Sequence, residues 1–401
     1  MKKGFVIVVA SFVAACTEAP SSPSLVSRAI SPETNASYAR GGEAEVIPGQ
    51  YIVVFKSDVA DPAGKARGKA LRHAAKLQHT FTKALRGFSA ELSPEAVAAL
   101  RADPDVDFIE PDQIVRASTI EVNATWGLDR IDQHSLPLSA TYTYTSTGAG
   151  VTAYIIDTGI LTSHSEFGGR ASGGFDAVTA GGSAADCNGH GTHVAGTVGG
   201  AQYGVAKGVS LVAVRVLNCG GSGSTSGVIA GIDWVTANHV SPAVANMSLG
   251  GGASTALDNA VANSIAGGVT YAIAAGNGNF SGIAQDACKS SPARVASAIT
   301  VSATSSSDTK ASWANFGSCV DIFAPGVSIT SSWYTSNTAT NTISGTSMAT
   351  PHVTGVAALY LQSHAGSTPQ QVRDALVQSG TAGVVKSAGR KSPNVLLYTS
   401  Y

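Results

Sequence analysis

Charge is scarce in this sequence. Only 13% of its 401 residues are Asp, Glu, Lys or Arg, and 25 basic side chains face 26 acidic ones for a net charge of −1. No stretch is basic enough to hold a phosphate backbone, which sets nucleic acid aside as a partner. Long apolar runs are missing as well: the segment Phe5–Val13 is too short to cross a bilayer as a mature helix. There is no Cys-x-x-Cys pair, no internal repeat and no sign of a third domain. What is plentiful is small. The chain holds 45 glycines with much Ala, Ser and Thr, and is 44% hydrophobic, which points to tight packing and many turns. It is long enough for one large core and a smaller domain.

Residues 1–15 read as a signal peptide: Lys2 and Lys3 form a charged start, Phe5–Val13 is apolar, and Val13-Ala14-Ala15 offers small residues before Cys16. Val-Ala-Ala-Cys resembles a bacterial lipobox, in which Cys16 carries lipid; ordinary signal-peptidase cleavage nearby is the alternative. Either route takes the protein out of the cytoplasm, where disulfides form. Setting Cys16 aside leaves Cys187, Cys219, Cys288 and Cys319, which allow three pairings. Two nearly equal gaps favour Cys187–Cys219 and Cys288–Cys319, each closing a loop of roughly thirty residues. A zinc site is the alternative, weakened by the missing Cys-x-x-Cys.

Residues 16–46 are rich in Ser, Pro, Ala and Glu and read as a linker. Residues 47–116 read as a compact α+β unit: a strand Tyr51–Phe55, a helix Ala63–Gln78, two extended pieces around Gly87 within Phe81–Leu92, a helix Pro94–Arg101 capped by Ser93, and a strand Val106–Glu110. That order leaves room for one further strand. Residues 117–125 form an exposed connector. From Trp126 to the C-terminus, apolar strands (Val151–Asp157, Ser210–Leu217, Val244–Leu249, Val269–Ala275, Ala298–Ala303, Val320–Phe323) alternate with helices (Ser226–Asn238, Thr255–Ile265, Gln370–Ser379). Such alternation predicts an α/β fold with a mainly parallel, doubly wound sheet, its chemistry at the carboxyl ends of the strands.

Three motifs fall at suitable places. Ile-Ile-Asp157-Thr-Gly delivers a carboxylate at the end of a buried strand. Asn-Gly-His190-Gly-Thr-His193-Val-Ala-Gly flanks a histidine with glycines. Gly-Thr-Ser347-Met-Ala-Thr-Pro-His precedes an apolar helical run, and Pro351 suggests a first turn there, so Ser347 sits near a helix N-terminus. Separately, these read as a turn-capping aspartate, a structural histidine and an N-cap serine; His-x-x-His as a metal pair lacks a third ligand motif. Together, an acid, a base and a nucleophile are what acyl transfer needs, with Asn277 in Ala-Ala-Gly-Asn-Gly and the Ser347 N–H as donors to an oxyanion.

On these motifs the region from Trp126 to Tyr398 resembles the subtilisin-family serine endopeptidases of the proteinase K-like, aqualysin-like branch, in the order Asp, His, Ser. The resemblance implies Asp157, His190 and Ser347 as the triad and Asn277 as the oxyanion donor. It implies two Gly-rich strand edges for peptide substrate, Gly221-Ser222-Gly223 and Ser248-Leu249-Gly250-Gly251, which with Ala275 and Gly276 wall an S1 pocket. Without a charge in that pocket, broad cleavage after apolar or aromatic residues is expected. The resemblance supports the two disulfides favoured above. It implies structural calcium at Ala296, Ala298 and Asp321, and at Asp129, Asp132 and Gln133, although relatives supply further ligands where this chain has Ser139 and Thr141. No catalytic cofactor is implied. Residues 47–116 resemble the family's inhibitory, ferredoxin-like propeptide, making a self-processing zymogen whose mature domain acts as a secreted monomer on protein substrates. A precursor lipidated at Cys16 would be anchored until autocleavage in the connector freed the enzyme. The rivals are an inactive scaffold of the same fold and an esterase of another fold, the latter opposed by the triad order and the peptide-binding segments.

Overall fold

A computed structural model describes Met1, residues 46–113 and residues 119–401. The expected signal peptide, Cys16, the linker up to residue 45 and connector residues 114–118 lie outside the described residues.

The first unit runs strand Val46–Phe55, helix Pro62–Arg72, strands Lys76–Phe81 and Gly87–Glu91, helix Pro94–Arg101, strand Val106–Gln113. The strands form one antiparallel sheet in the order Lys76–Phe81, Gly87–Glu91, Val46–Phe55, Val106–Gln113, the split β-α-β arrangement of ferredoxin-like folds. Each helix opens on a side-chain cap followed by proline: Asp61 Oδ1 accepts from Gly64 N–H at 2.9 Å and Ser93 Oγ from Ala96 N–H at 3.2 Å. The helix expected over 63–78 stops at Arg72, because Ala74 turns to φ 49°. The residues beyond supply the extra strand for which the sequence left room. Val53, Phe55, Phe88 and Leu100 centre a core that contains no residue of the larger unit.

The larger unit is built on a nine-stranded sheet. Its order is Thr381–Ala382, Val395–Leu396, Ile322–Pro325, Ile299–Thr304, Thr270–Ala274, Ala243–Met247, Thr152–Asp157, Ser210–Arg215, Ala171–Asp176, parallel but for the first pair. From Thr152–Asp157 the chain crosses to the edge strand Ala171–Asp176 and returns to Ser210–Arg215 on one side, and from Ala243–Met247 it winds outward on the other. These two central neighbours are therefore the switch point, and a crevice opens at their carboxyl ends. Helices His190–Gly199 and Thr346–Ser363 cover one face with Ile155, Val194, Val353 and Val356 in its core. Helices Thr225–Asn238 and Thr255–Ala266 cover the other around Ile156, Ile232, Met247 and Val261.

Three expectations change. Helix His190–Gly199 has no polar face, since every residue after His190 is buried, so no amphipathic stripe announces it. The stretch Gly221-Ser222-Gly223 is a turn, not a strand: Gly221 N–H donates to the Asn218 carbonyl, Asn218 N–H donates to the Ser222 carbonyl, and Asn218 Oδ1 caps Gly220 N–H at 2.9 Å. The connector is paired along part of its length. Thr119–Val122 forms an antiparallel ribbon with Thr141–Tyr144, and Glu121 meets Lys207 Nζ at 2.7 Å. Both expected disulfides are present, Cys187–Cys219 and Cys288–Cys319.

Arg130 is fully buried. Its guanidinium grips both oxygens of Asp308, at 2.7 and 3.1 Å, and donates to the Gln133 carbonyl, pinning helix Trp126–Ile131 to a turn 178 residues away. A buried pair loses far more when broken than it gains over an apolar substitute, because one charge is stranded. Arg130→Ala is expected to cost about 3–5 kcal/mol, read as a lowered urea midpoint at unchanged m-value.

Candidate active site

The acid stands at the end of the central strand Thr152–Asp157 and is fully buried. Its Oδ1 accepts from Thr158 N–H and from His190 Nδ1, both at 2.7 Å. A carboxylate only accepts, so the proton of His190 sits on Nδ1 and leaves Nε2 bare. His190 opens its helix and is a quarter exposed. Burial works against its imidazolium, but the charge and hydrogen bond of Asp157, aided by Asp186, outweigh that and raise its pKa above the ordinary value. His193, by contrast, is buried, bonds the Ile329 carbonyl at 3.0 Å, and is pushed down to about 4 by burial. Among the described residues, no cluster of three or more His, Cys, Asp or Glu side chains forms a metal site with it.

Ser347 is the second residue of helix Thr346–Ser363. Pro351 therefore lies inside the helix rather than in its first turn. Having no N–H, it leaves the carbonyl four residues earlier, that of Ser347, without its helical partner. Ser248 Oγ fills the gap at 2.8 Å, and Ser347 Oγ donates in return to the Ser248 carbonyl at 3.1 Å. Asn246 Nδ2 holds Ser248 Oγ at 2.8 Å, and Thr354 Oγ1 holds Asn246 Oδ1 at 2.9 Å. Ser347 is thus hung between the helix and the switch-point strand. In this rotamer its hydroxyl is taken up by the Ser248 carbonyl and makes no hydrogen bond to His190.

Asn277 follows strand Thr270–Ala274. Its Oδ1 accepts from both Thr346 N–H and Thr346 Oγ1, each at 2.8 Å, which fixes the amide so that Nδ2 is left to the crevice. Two cavities meet along Leu249–Gly252. One, of about 380 Å³, lies between Gly221–Ser224 and Leu249–Gly252 with His190 at its end; the other, of about 630 Å³, is lined by Ala274–Asn279, Phe280, Thr346 and Ser347. His190 is the one titratable group on either lining.

The profile of the subtilase family matches residues 148–394, and that of the peptidase inhibitor I9 family matches residues 50–118. The chain belongs to the subtilase family. It is 61% identical over 378 residues to an extracellular serine proteinase of Thermus sp. (strain Rt41A), covering 89% of this chain and 91% of that one. It is 55% identical over 329 residues to alkaline serine exoprotease A of Vibrio alginolyticus, covering 80% of this chain and 60% of that longer protein. A crystal structure of a cold-adapted subtilisin-like serine proteinase, 57% identical, superposes with a TM-score of 0.66, covering 70% of this chain and 99% of that one. This subtilase is thus a subtilisin-like serine endopeptidase preceded by an I9 propeptide domain.

In both expected calcium sets of this subtilase, carboxylates are held by neighbouring groups. Asp321 Oδ1 meets Arg373 Nη2 at 2.5 Å and Oδ2 accepts Thr300 N–H at 2.7 Å, so a guanidinium already pairs with the carboxylate expected, with Ala296 and Ala298, to hold calcium. At the other set, Asp129 accepts Ser139 N–H, Ser139 Oγ and Ala140 N–H at 2.7–3.0 Å, and Gln133 turns its amide nitrogen to the carbonyls of Ser135 and Pro137. Asp132 Oδ1 is left without a partner, its carboxyl pushed up to about 6 by burial, and the Gln133 side-chain oxygen accepts no hydrogen bond among the described residues.

Three supporting residues carry no motif of their own. Asp186 accepts from Thr158 Oγ1, Asn188 N–H, Gly189 N–H, Thr192 N–H and Thr192 Oγ1, tying the loop after Asp157 to the start of the His190 helix. Asp-x-Asn-Gly is a turn signal that could have found it. Asn315 binds Gly278 N–H, Gln285 N–H and the Ala275 carbonyl at 2.8–3.0 Å, and Gly276, at φ +100°, has no room for a Cβ against it. Asn246 is the third. Ser248→Ala strands the Ser347 carbonyl and the Asn246 amide together; we expect a loss of about 1–3 kcal/mol of stability, read by denaturant unfolding.

Proposed function

We propose that Asp157, His190 and Ser347 form the catalytic triad of this endopeptidase and that Asn277 Nδ2 and the Ser347 N–H form its oxyanion hole. Ser347 Oγ attacks the scissile carbonyl, His190 Nε2 takes its proton and gives it to the leaving amine, and Asp157 holds the tautomer and the imidazolium. Water then attacks the acyl-enzyme by the same route. The observation that carries the reading is the Asn277 amide, whose oxygen is pinned by Thr346 beside a Ser347 N–H without an acceptor among the described residues. Two donors then face the place where an oxyanion forms on Ser347. An inactive scaffold has no use for that arrangement.

Peptide lies between the Gly221–Gly223 turn and Ser248–Gly251, and its P1 side chain enters the larger cavity beside Ala275 and Gly276. The absence of charge on that lining supports broad cleavage after apolar or aromatic residues. The I9 unit acts as an intramolecular inhibitor until self-cleavage. Because Thr119–Val122 is paired with the enzyme domain, the cleaved bond lies before it, within residues 113–119. The signal-like N-terminus and the relative named an extracellular serine proteinase support secretion. If Cys16 is lipidated, this cleavage separates the enzyme from its anchor. No step runs through calcium.

Ser347→Ala is expected to abolish both precursor processing and casein hydrolysis; persistence of either sinks the mechanism. Asn277→Ala is expected to lower kcat by about 10²–10³, the magnitude carried over from subtilisin's own oxyanion asparagine. His190 works as a base only when neutral, so kcat/KM falls as pH drops through its raised pKa. Asp186→Asn removes one charge that raises it, so the acid limb moves to lower pH.

A further inference from the structure

Among the described residues Phe280 is the most exposed large apolar side chain after Met1, with a relative exposure of 114%, and Ile283 beside it is 61% exposed. A lone exposed aromatic is common and needs no explanation. Two observations set this one apart. It lines the same cavity as Ser347 and Asn277, where it is the one aromatic ring among residues otherwise small or polar apart from Leu249. It is also presented by a preformed turn. Asn279 N–H donates to the Ile283 carbonyl at 2.9 Å, Gly282 N–H to the Asn279 carbonyl at 2.8 Å, and Asn279 Oδ1 caps Ser281 N–H and Ile283 N–H. Asn315 Oδ1 clamps both ends of the loop through Gly278 N–H and Gln285 N–H. A ring held in water beside a cavity gains hydrophobic contact when an apolar group arrives there, and a fixed loop loses little entropy in making it.

We propose that Phe280 is a specificity-determining residue that closes over the P1 side chain of the bound peptide. Selectivity for large apolar P1 residues then comes from this loop, not from the small residues of the pocket wall. The inference rests on the reading that Ser347 and Asn277 form the catalytic centre.

The test compares the self-processed wild type, Phe280→Ala and Phe280→Leu on blocked peptide anilides that differ only at P1: Phe, Leu or Ala. For Phe280→Ala, kcat/KM is expected to fall roughly ten-fold on P1 Phe and less on P1 Leu, mainly through KM, with P1 Ala unchanged. Phe280→Leu is expected to recover most of the loss. Equal losses on all three substrates, with a lowered melting temperature, would show a ring that merely supports the loop and would overturn the proposal. So would unchanged kinetics on all three, or a defect confined to precursor processing. Failure of the underlying mechanism shows separately, as activity surviving Ser347→Ala.

Discussion

One carbonyl without a helical partner organises the crevice. A proline inside helix Thr346–Ser363 removes the N–H that the Ser347 carbonyl needs, and a buried carbonyl left alone costs about 1–3 kcal/mol. The chain meets that need with Ser248 at the end of the switch-point strand, which in turn accepts the Ser347 hydroxyl. Helix and sheet are thereby locked in one register at the place where a substrate carbonyl has to arrive. Thr346, one residue earlier, extends the lock sideways to Asn277 through its N–H and hydroxyl and to Gly276 through the same hydroxyl. The serine, the amide that faces it and the pocket wall are therefore positioned by one chain of hydrogen bonds, not by three separate loops.

The scarcity of charge acquires a meaning from the same principle. Several of the few ionised groups are not spread on the surface but serve as hubs for backbone groups in a turn-rich chain. Arg170 donates to the carbonyls of Gly199, Val209 and Glu166. Arg130 joins Asp308 to the Gln133 carbonyl, and Asp186 gathers three N–H groups and two hydroxyls around the His190 helix. Arg215 lies against both sulfurs of Cys187–Cys219 while pairing with Asp176, so the disulfide, which joins the His190 loop to the Gly221 turn, is itself braced. Interior carboxylates bonded in this way satisfy polar backbone that a core of Gly, Ala and Ser cannot cover.

What was legible in the sequence is what is local. A strand that ends in Asp157, glycines beside His190 and the small residues around Ser347 each fit within a short window, and the central strands are apolar runs with clear ends. What was not legible depends on distant partners or on the absence of a pattern. Helix His190–Gly199 is buried all round and shows no stripe. The misplaced end of the first helix turned on the backbone of Ala74, which takes a positive φ. Asp321 pairs with Arg373, 52 residues further on, and no reading of the short segment around Asp321 reveals that partner. Asn315 likewise acts on a loop some forty residues earlier.

The glycines close the account of the crevice. A Cβ on Gly191 would stand 2.2 Å from the Gly159 carbonyl, so the loop after Asp157 and the helix that His190 opens approach at van der Waals contact only because that residue has no side chain. The same economy leaves Gly251 and Gly252 without a neighbour to meet along one wall, an open edge suited to an extended chain. A cleft made mainly of backbone and small groups binds main chain well and distinguishes side chains poorly. Discrimination then has to come from whatever large side chain borders the cavity, and the exposed ring of Phe280, on the loop held by Asn279 and Asn315, is the one aromatic group on that lining.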